Sequence, residues 1–335
     1  MHATTMDRHA RIFVAGHGGL VGGAIVRRLH AEGYDNLLLT RRGELDLRDQ
    51  AAVNVWMEAN RPDYVYLVAG TVGGIMANST RPAEFIYDNM MIHATVVHAA
   101  YLIGVQKLLY LGSSCIYPRN AHQPITEDEL LTGQLEPTNE PYAIAKIAGI
   151  KLCQAYQRQY GCHFVSAMPT NLYGPGDNFD LTSSHVLPAL IRKFHDAKLD
   201  GRREVEIWGT GGAMREFLHV DDLADACVYL MENYEDDTHV NVGTGKDLTI
   251  KALAEMVRDI VHADAELVFD TTKPDGTPRK VLDVTKLNNL GWSPTIELRR
   301  GVEETYQWYL DQAPAEIRGA QSTDSSTPVE AGAAS

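Results

Sequence analysis

Arg11-Ile-Phe-Val-Ala-Gly-His-Gly-Gly-Leu-Val-Gly22 decides the fold. Arg11 to Ala15 is a short apolar run that reads as a buried strand, and the amphipathic stretch continuing to about Glu32 reads as a helix. Between them, glycines at 16, 19 and 22 let the backbone turn tightly and approach a pyrophosphate. The open N–H groups and positive dipole end of the helix then stabilise that charge. The spacing is G-x-x-G-x-x-G, with Val21 where G-x-G-x-x-G has its last glycine. Strand, glycine turn and helix in this order are the context a dinucleotide loop requires. Gly16, His17, Gly18, Gly19, Leu20, Val21 and Gly22 are therefore candidate cofactor contacts.

The alternation continues outward. Asn36 to Thr40 reads as a second strand, Asp49 to Asn60 as a helix, Tyr64 to Val68 as a third strand and Pro82 to Gly104 as a long helix. A strand at Lys107 to Leu111, a helix carrying Tyr142 to about Gly161 and a strand at His163 to Met168 follow. This predicts an α/β fold, a Rossmann-type doubly wound parallel sheet with ligands at the carboxyl ends of its strands. Beyond Asn171 the texture changes to Gly- and Pro-rich loops such as Tyr173-Gly-Pro-Gly-Asp177 and Trp208-Gly-Thr-Gly-Gly212, which suit a smaller, interleaved C-terminal substrate lobe. The expected division is a flexible N-terminus over 1–10 and a dinucleotide-binding domain over 11–170, to which 217–244 returns. The substrate lobe takes 171–216 and 245–312, and 313–335, rich in Ser, Thr, Ala, Gly and Glu, is expected to be disordered.

With 335 residues and 44% apolar content, the chain can bury a large core. Its net charge of −14, without a basic run, argues against nucleic acid as a partner. Cys115, Cys153, Cys162 and Cys227 have no metal-ligand spacing, so thiols rather than disulfides or a metal site are expected. Met1 to Ala10 lack the apolar stretch of a signal peptide, and no apolar run is long enough to span a bilayer. A cytoplasmic location is the expectation.

Tyr142-Ala-Ile-Ala-Lys146 carries the chemistry, with Ser113-Ser114-Cys115 upstream, just past a strand end. Positions four apart share a helix face, so the Lys146 ammonium can sit beside the Tyr142 phenol and reach a bound ribose. A neighbouring cation favours the ionised phenol, so the pKa of Tyr142 is expected to fall from about 10 toward neutrality, where one group can give and take a proton. Ser113 would hold the substrate oxygen. The pair suggests redox chemistry at a carbonyl.

Several blocks then carry a resemblance: Val72-Gly-Gly-Ile-Met-Ala-Asn78, Leu111-Gly-Ser-Ser-Cys-Ile-Tyr-Pro118, Glu136-Pro-Thr-Asn-Glu-Pro-Tyr-Ala-Ile-Ala-Lys146, Pro169-Thr-Asn-Leu-Tyr-Gly174, Arg215-Glu-Phe-Leu-His-Val-Asp221 and Lys273-Pro-Asp-Gly-Thr-Pro-Arg-Lys280. From about Arg11 to Leu310 the chain resembles the GDP-L-fucose synthase family of extended short-chain dehydrogenase/reductases. The resemblance implies a homodimer that epimerises C3 and C5 of GDP-4-keto-6-deoxy-D-mannose and reduces C4 with NADPH. It implies Ser113, Tyr142 and Lys146 as the redox triad and Cys115 and His185, in Ser183-Ser-His-Val-Leu-Pro188, as the pair that moves protons on opposite faces of the sugar. Leu111, Gly112, Ser113, Ser114, Lys146, Pro169, Thr170, Asn171, Leu172 and His185 would line the cofactor. Lys193, Trp208, Arg215 and Asp275 would meet the GDP-sugar, with Arg279 a further candidate cation. Cys115 argues against the 4,6-dehydratases, which carry an acid at this place, and against the 4-epimerases, which have no thiol there.

Thr40-Arg41-Arg42 after the second strand offers two cations and no acid, which favours NADP(H) over NAD(H). Some fucose synthases carry arginine at the positions of Gly18 and Thr40, so part of that basic pocket is absent here. Two other readings share these motifs: a related GDP-colitose or GDP-deoxyheptose epimerase/reductase, and an NADP(H)-binding sensor without turnover.

Overall fold

Strand β1 (Ile12–Ala15) sorts the core by its own alternation. Ile12 and Val14 enter one apolar cluster with Ala24, Ile25 and Leu29, whereas Phe13 and Ala15 enter another with Val53, Met57, Val96 and Ile150. Burial on both faces is what a parallel strand with helices on either side requires. The computed structural model describes residues 6–312 apart from Ala263 and Pro274. β1 lies between β2 (Leu37–Leu38) and β3 (Tyr64–Leu67), and β4 (Lys107–Leu111), β5 (Phe164–Pro169) and β9 (Val240–Val242) extend the sheet in the order β2-β1-β3-β4-β5-β9, all parallel. Helices α1 (Leu20–Ala31) and α7 (Val220–Asn233) cover one face. Helices α2 (Gln50–Asn60), α4 (Pro82–Ile103) and α5 (Glu140–Tyr160) cover the other, with α3 (Ile75–Thr80) leading into α4. The fold is a Rossmann-type α/β fold.

A second body sits at the carboxyl ends of these strands. β6 (Asn171–Tyr173), β10 (Asp247–Thr249) and β12 (Arg279–Lys280) all pair with β8 (Met214–His219), and β7 (Glu204–Trp208) pairs with β11 (Glu266–Asp270). Helices α6 (Val186–Leu199), α8 (Ile250–Val261) and α10 (Leu298–Gln312) pack around a third core that includes Leu190, Val205, Ile207, Val257 and Tyr306. The short α9 (Thr285–Asn289) contributes Leu287 to the first core.

Three details differ from the sequence reading. β2 has two residues rather than five. Phe217–His219 belong to β8 and pair with β6, so the return toward the large sheet begins with α7 and ends in β9. Residues 6–10 are anchored instead of flexible: Met6 and Ala10 are buried, and the Tyr34 hydroxyl donates to the Met6 carbonyl at 3.3 Å. Residues 1–5 and the tail 313–335 lie outside the described residues. Among the described residues, no helix is long and apolar enough to cross a membrane.

Candidate active site

β2 and β3 leave β1 on opposite sides, and the glycine loop occupies the switch point this creates. Gly16 has φ +100°, and a Cβ on Gly22 would stand 2.0 Å from the Gly16 carbonyl oxygen, so neither position accepts a side chain. Gly19 is the N-cap of α1 and offers no side-chain acceptor, and the first turn carries no acid. The first N–H groups of the helix are thus left for an anion. His17, in the same loop, keeps Nδ1 buried without a partner. This cradle fits the pyrophosphate of a dinucleotide. Arg41 and Arg42 are exposed just past β2. Gly18 is exposed too, with no atom within 4 Å of where its Cβ would stand, so nothing steric forbids an arginine there.

The carboxyl end of β4 supplies the next group. The chain turns at Ser113, whose hydroxyl accepts from the Cys115 N–H at 3.4 Å and caps a single helical turn over Ser114–Ile116. That turn buries Cys115. α5 begins with Pro141 in its first turn, which needs no donor there, and carries Tyr142 and Lys146 one turn apart. Lys146 Nζ donates to the Leu111 carbonyl at 2.8 Å and lies 5.8 Å from the centre of the Tyr142 ring. The ammonium therefore ties α5 to the end of β4.

This geometry corrects the expected acidity of Tyr142. Tyr142 is half-buried; desolvation of its hydroxyl raises its pKa well above the ordinary phenol value, Cys115 adds to the rise, and a hydrogen bond with Ser113 opposes it. Burial also pushes Lys146 down to about 8. Sharing a helix face brought the two together as expected, but the fold buries that face, and desolvation disfavours both charged forms. Tyr142 stays a protonated donor aimed at the place Ser113 and Cys115 border.

His185 is the N-cap of α6 and is exposed. Crowding by protein atoms, then repulsion from Lys280, moves its pKa below the ordinary imidazole value. Lys280 closes the Lys273–Lys280 block, and its residue type alone gives it no role. Burial lowers its pKa, while Cys115, Glu136 and Glu216 raise it and Arg215 lowers it further, so this ammonium stands among the thiol, the imidazole and the arginine. Only pairing across strands could reveal that: Lys280 is opposite Arg215 in the β12–β8 register.

Glu216 was missed for the same reason. It is fully buried, and its carboxylate accepts from the N–H groups of Thr244 at 2.5 Å, Gly245 at 2.7 Å and Leu282 at 2.9 Å. It clasps the turn after β9 to the segment after β12. Its own carbonyl accepts from Thr170 Oγ1 at 3.3 Å and Asn171 Nδ2 at 2.8 Å, which holds the segment after Pro169 and the start of β6, with Leu172, at the end of β5.

Farther out, the candidate substrate residues form a connected patch. Trp208 is 47% exposed, so it is not core, and Lys193 and Lys273 both lie 5.4 Å from its ring centre. Asp275 accepts from Thr210 N at 2.7 Å and Thr210 Oγ1 at 2.8 Å. Arg215 donates to the Met214 carbonyl at 2.7 Å, and its other nitrogen lies 3.5 Å from the Asp275 carbonyl. Arg279 does not join them. It makes a two-pronged pair with Asp247, at 2.6 and 3.2 Å, because neighbours along a strand face opposite ways and Lys280 takes the inward place. Among the described residues no cluster of His, Cys, Asp and Glu could hold a metal ion.

Residues 12–243 match the sequence profile of the NAD dependent epimerase/dehydratase family. The chain is 59% identical over 304 residues to GDP-L-fucose synthase 1 of Arabidopsis thaliana, covering 91% of this chain and 94% of that one. It is 54% identical over 310 residues to GDP-L-fucose synthase of Escherichia coli strain K12, covering 90% and 97%. Among solved structures, a GDP-6-OMe-4-keto-L-xylo-heptose reductase from C. jejuni superimposes with a TM-score of 0.88 at 40% identity over 92% of this chain and 99% of that one. A GDP-L-fucose synthetase from Naegleria fowleri bound to NADP gives 0.86 at 29% identity over 92% and 96%.

Proposed function

The chain belongs to the GDP-L-fucose synthases within the NAD dependent epimerase/dehydratase family, and from that premise we propose that it converts GDP-4-keto-6-deoxy-D-mannose to GDP-L-fucose, with NADPH as reductant. The observation that carries this reading is the convergence of Ser113, Cys115 and Tyr142 at the end of β4, with Lys280 near both the Cys115 thiol and His185.

One ketone at C4 acidifies the protons at both C3 and C5, so a single oxyanion site serves two inversions. Ser113 and the protonated Tyr142 donate to O4 while enolate charge develops, where preorganised donors help most. Cys115 and His185 take a proton from one face of each carbon and deliver one to the other. The half-buried Lys280 ammonium stabilises negative charge as it appears near the thiol. NADPH, when bound, supplies the hydride that adds to C4. Tyr142 gives its proton to O4 as the C=O double bond becomes a C–O single bond, so the product leaves neutral at that carbon. Lys193, Trp208 and Arg215 hold the nucleotide and its diphosphate, with Arg215 presenting a guanidinium fork. The enzyme works as a homodimer in the cytoplasm.

The identities of 59% and 54% to fucose synthases, against 40% to the heptose reductase, favour the 6-deoxy-hexose over a heptose. The test is NADPH oxidation with GDP-4-keto-6-deoxy-D-mannose in D₂O, with the product identified by NMR. GDP-L-fucose carrying deuterium at C3 and C5 is the expected result. In Cys115→Ala the NADPH-consuming step should survive while exchange at those carbons drops by about a hundredfold or more. Full epimerisation by that variant would refute the role of the thiol.

A further inference from the structure

Val72-Gly-Gly-Ile-Met-Ala-Asn78 is a block to which the chemistry above gives no task. Its backbone runs from the end of β3 into α3 and meets the turn that carries His185. Gly74 N–H donates to the Ser183 carbonyl at 3.1 Å, and a Cβ on Gly74 would stand 2.9 Å from the Ser184 carbonyl oxygen and 3.5 Å from that of Ser183. Ser184 is the residue before His185. Real Cβ atoms essentially never come so close to a backbone oxygen, so any side chain at 74 must move that turn.

Both partners in this contact are fixed from behind. Asn78, buried, donates through Nδ2 to the Gly73 carbonyl at 2.7 Å and to the Gly74 carbonyl at 3.1 Å. Across the contact, Asp180 Oδ1 accepts from Thr182 N, Ser183 N and Ser183 Oγ, each at 3.0 Å, and Asn178 Nδ2 donates to Ser183 Oγ at 2.9 Å. The other end of the block leans on the redox half of the site. A Cβ on Gly73 would be 3.3 Å from Phe85 Cζ, and the buried Phe85 ring meets Tyr142 edge-on, with ring centres 6.2 Å apart and planes at 80°.

We propose that this block is a strut between the two catalytic halves, and that Gly74 is a positioning residue that sets where His185 stands relative to Tyr142 and Cys115. The inference rests on the reading of His185 as a proton-transfer group. A displacement of a few tenths of an ångström at the His185 turn should slow proton transfer at C3 and C5 and spare reduction, because Ser113, Tyr142 and Lys146 are held by β4 and α5.

The readout is the ratio of epimerised to un-epimerised 4-reduced GDP-sugar made from GDP-4-keto-6-deoxy-D-mannose and NADPH, which does not depend on the fraction of enzyme that is folded. Gly74→Val should lower that ratio by about tenfold or more, as misplacement of a catalytic group by a fraction of an ångström does. Gly74→Ala should lower it less, and NADPH affinity should stay within about twofold of the parent in both. Asn78→Ala, which frees the strut without adding bulk, should move the ratio in the same direction and covers the case in which valine prevents folding. Loss of total turnover with an unchanged ratio in these variants would overturn the proposal, because a merely structural glycine behaves that way. A His185→Gln variant that keeps the parental ratio would instead remove the proton-transfer reading on which the inference stands.

Discussion

Lys146→Arg tests the electrostatics of the site most directly. In the parent, burial holds the Lys146 ammonium at about 8 instead of 10.5, a difference corresponding to roughly 3 kcal/mol against the charged form. The phenol of Tyr142 is pushed the other way, well above its ordinary value, so it does not ionise in the working range. The alkaline loss of kcat/KM for NADPH oxidation therefore belongs to Lys146: activity falls about tenfold for each pH step above about 8. Arginine stays charged throughout, so Lys146→Arg should lose this alkaline limb even if its plateau is lower, while Tyr142→Phe should lower the plateau by a factor of about 10² to 10⁴.

Stability follows with a definite sign. A lysine whose folded pKa is lowered makes the unfolded chain bind more protons between about 8 and 10.5, so stability from this group rises with pH across that window. In Lys146→Arg that rise disappears. The assays are a pH profile of kcat/KM and denaturant midpoints at several pH values. An alkaline limb near pH 10 in the parent, or an unchanged limb in Lys146→Arg, would refute the reasoning.

Further outcomes follow from the same structure. Gly18→Arg has open space for its side chain and no positive φ, so it should lower the KM for NADPH several-fold in a salt-dependent way with no change in Tm. Gly22→Ala places a methyl 2.0 Å from the Gly16 carbonyl oxygen and should abolish NADPH binding, measured by fluorescence titration. Glu216→Gln turns one of the two oxygens that accept the three backbone N–H groups into a donor; urea unfolding at neutral pH should show a loss of about 2 kcal/mol. Its KM for the GDP-sugar should also rise, since the clasp fixes β12 against β8 and hence Lys280 beside Arg215.

The chain's local patterns settle a good deal by themselves. Glycines at 16 and 22 announce a turn no other residue can make, and the apolar runs at Ile12–Ala15, Tyr64–Leu67 and Lys107–Leu111 announce parallel strands, because strand, turn and helix preferences act over a few residues. The Tyr142–Lys146 spacing and Ser113 past a strand end point to the proposed reacting centre for the same reason. What pairs across the molecule was illegible. That β12 lies on β8, turning Lys280 inward and Arg279 toward Asp247, depends on register between segments far apart in sequence. So does the clasp at Glu216, whose donors come from after β9 and after β12. Tyr142 shows the limit most plainly: sequence spacing placed a cation near a phenol, and only the packed structure could say that burial and the neighbouring Cys115 set its acidity, since desolvation is set by every neighbour the fold brings in and not by the residue four positions away.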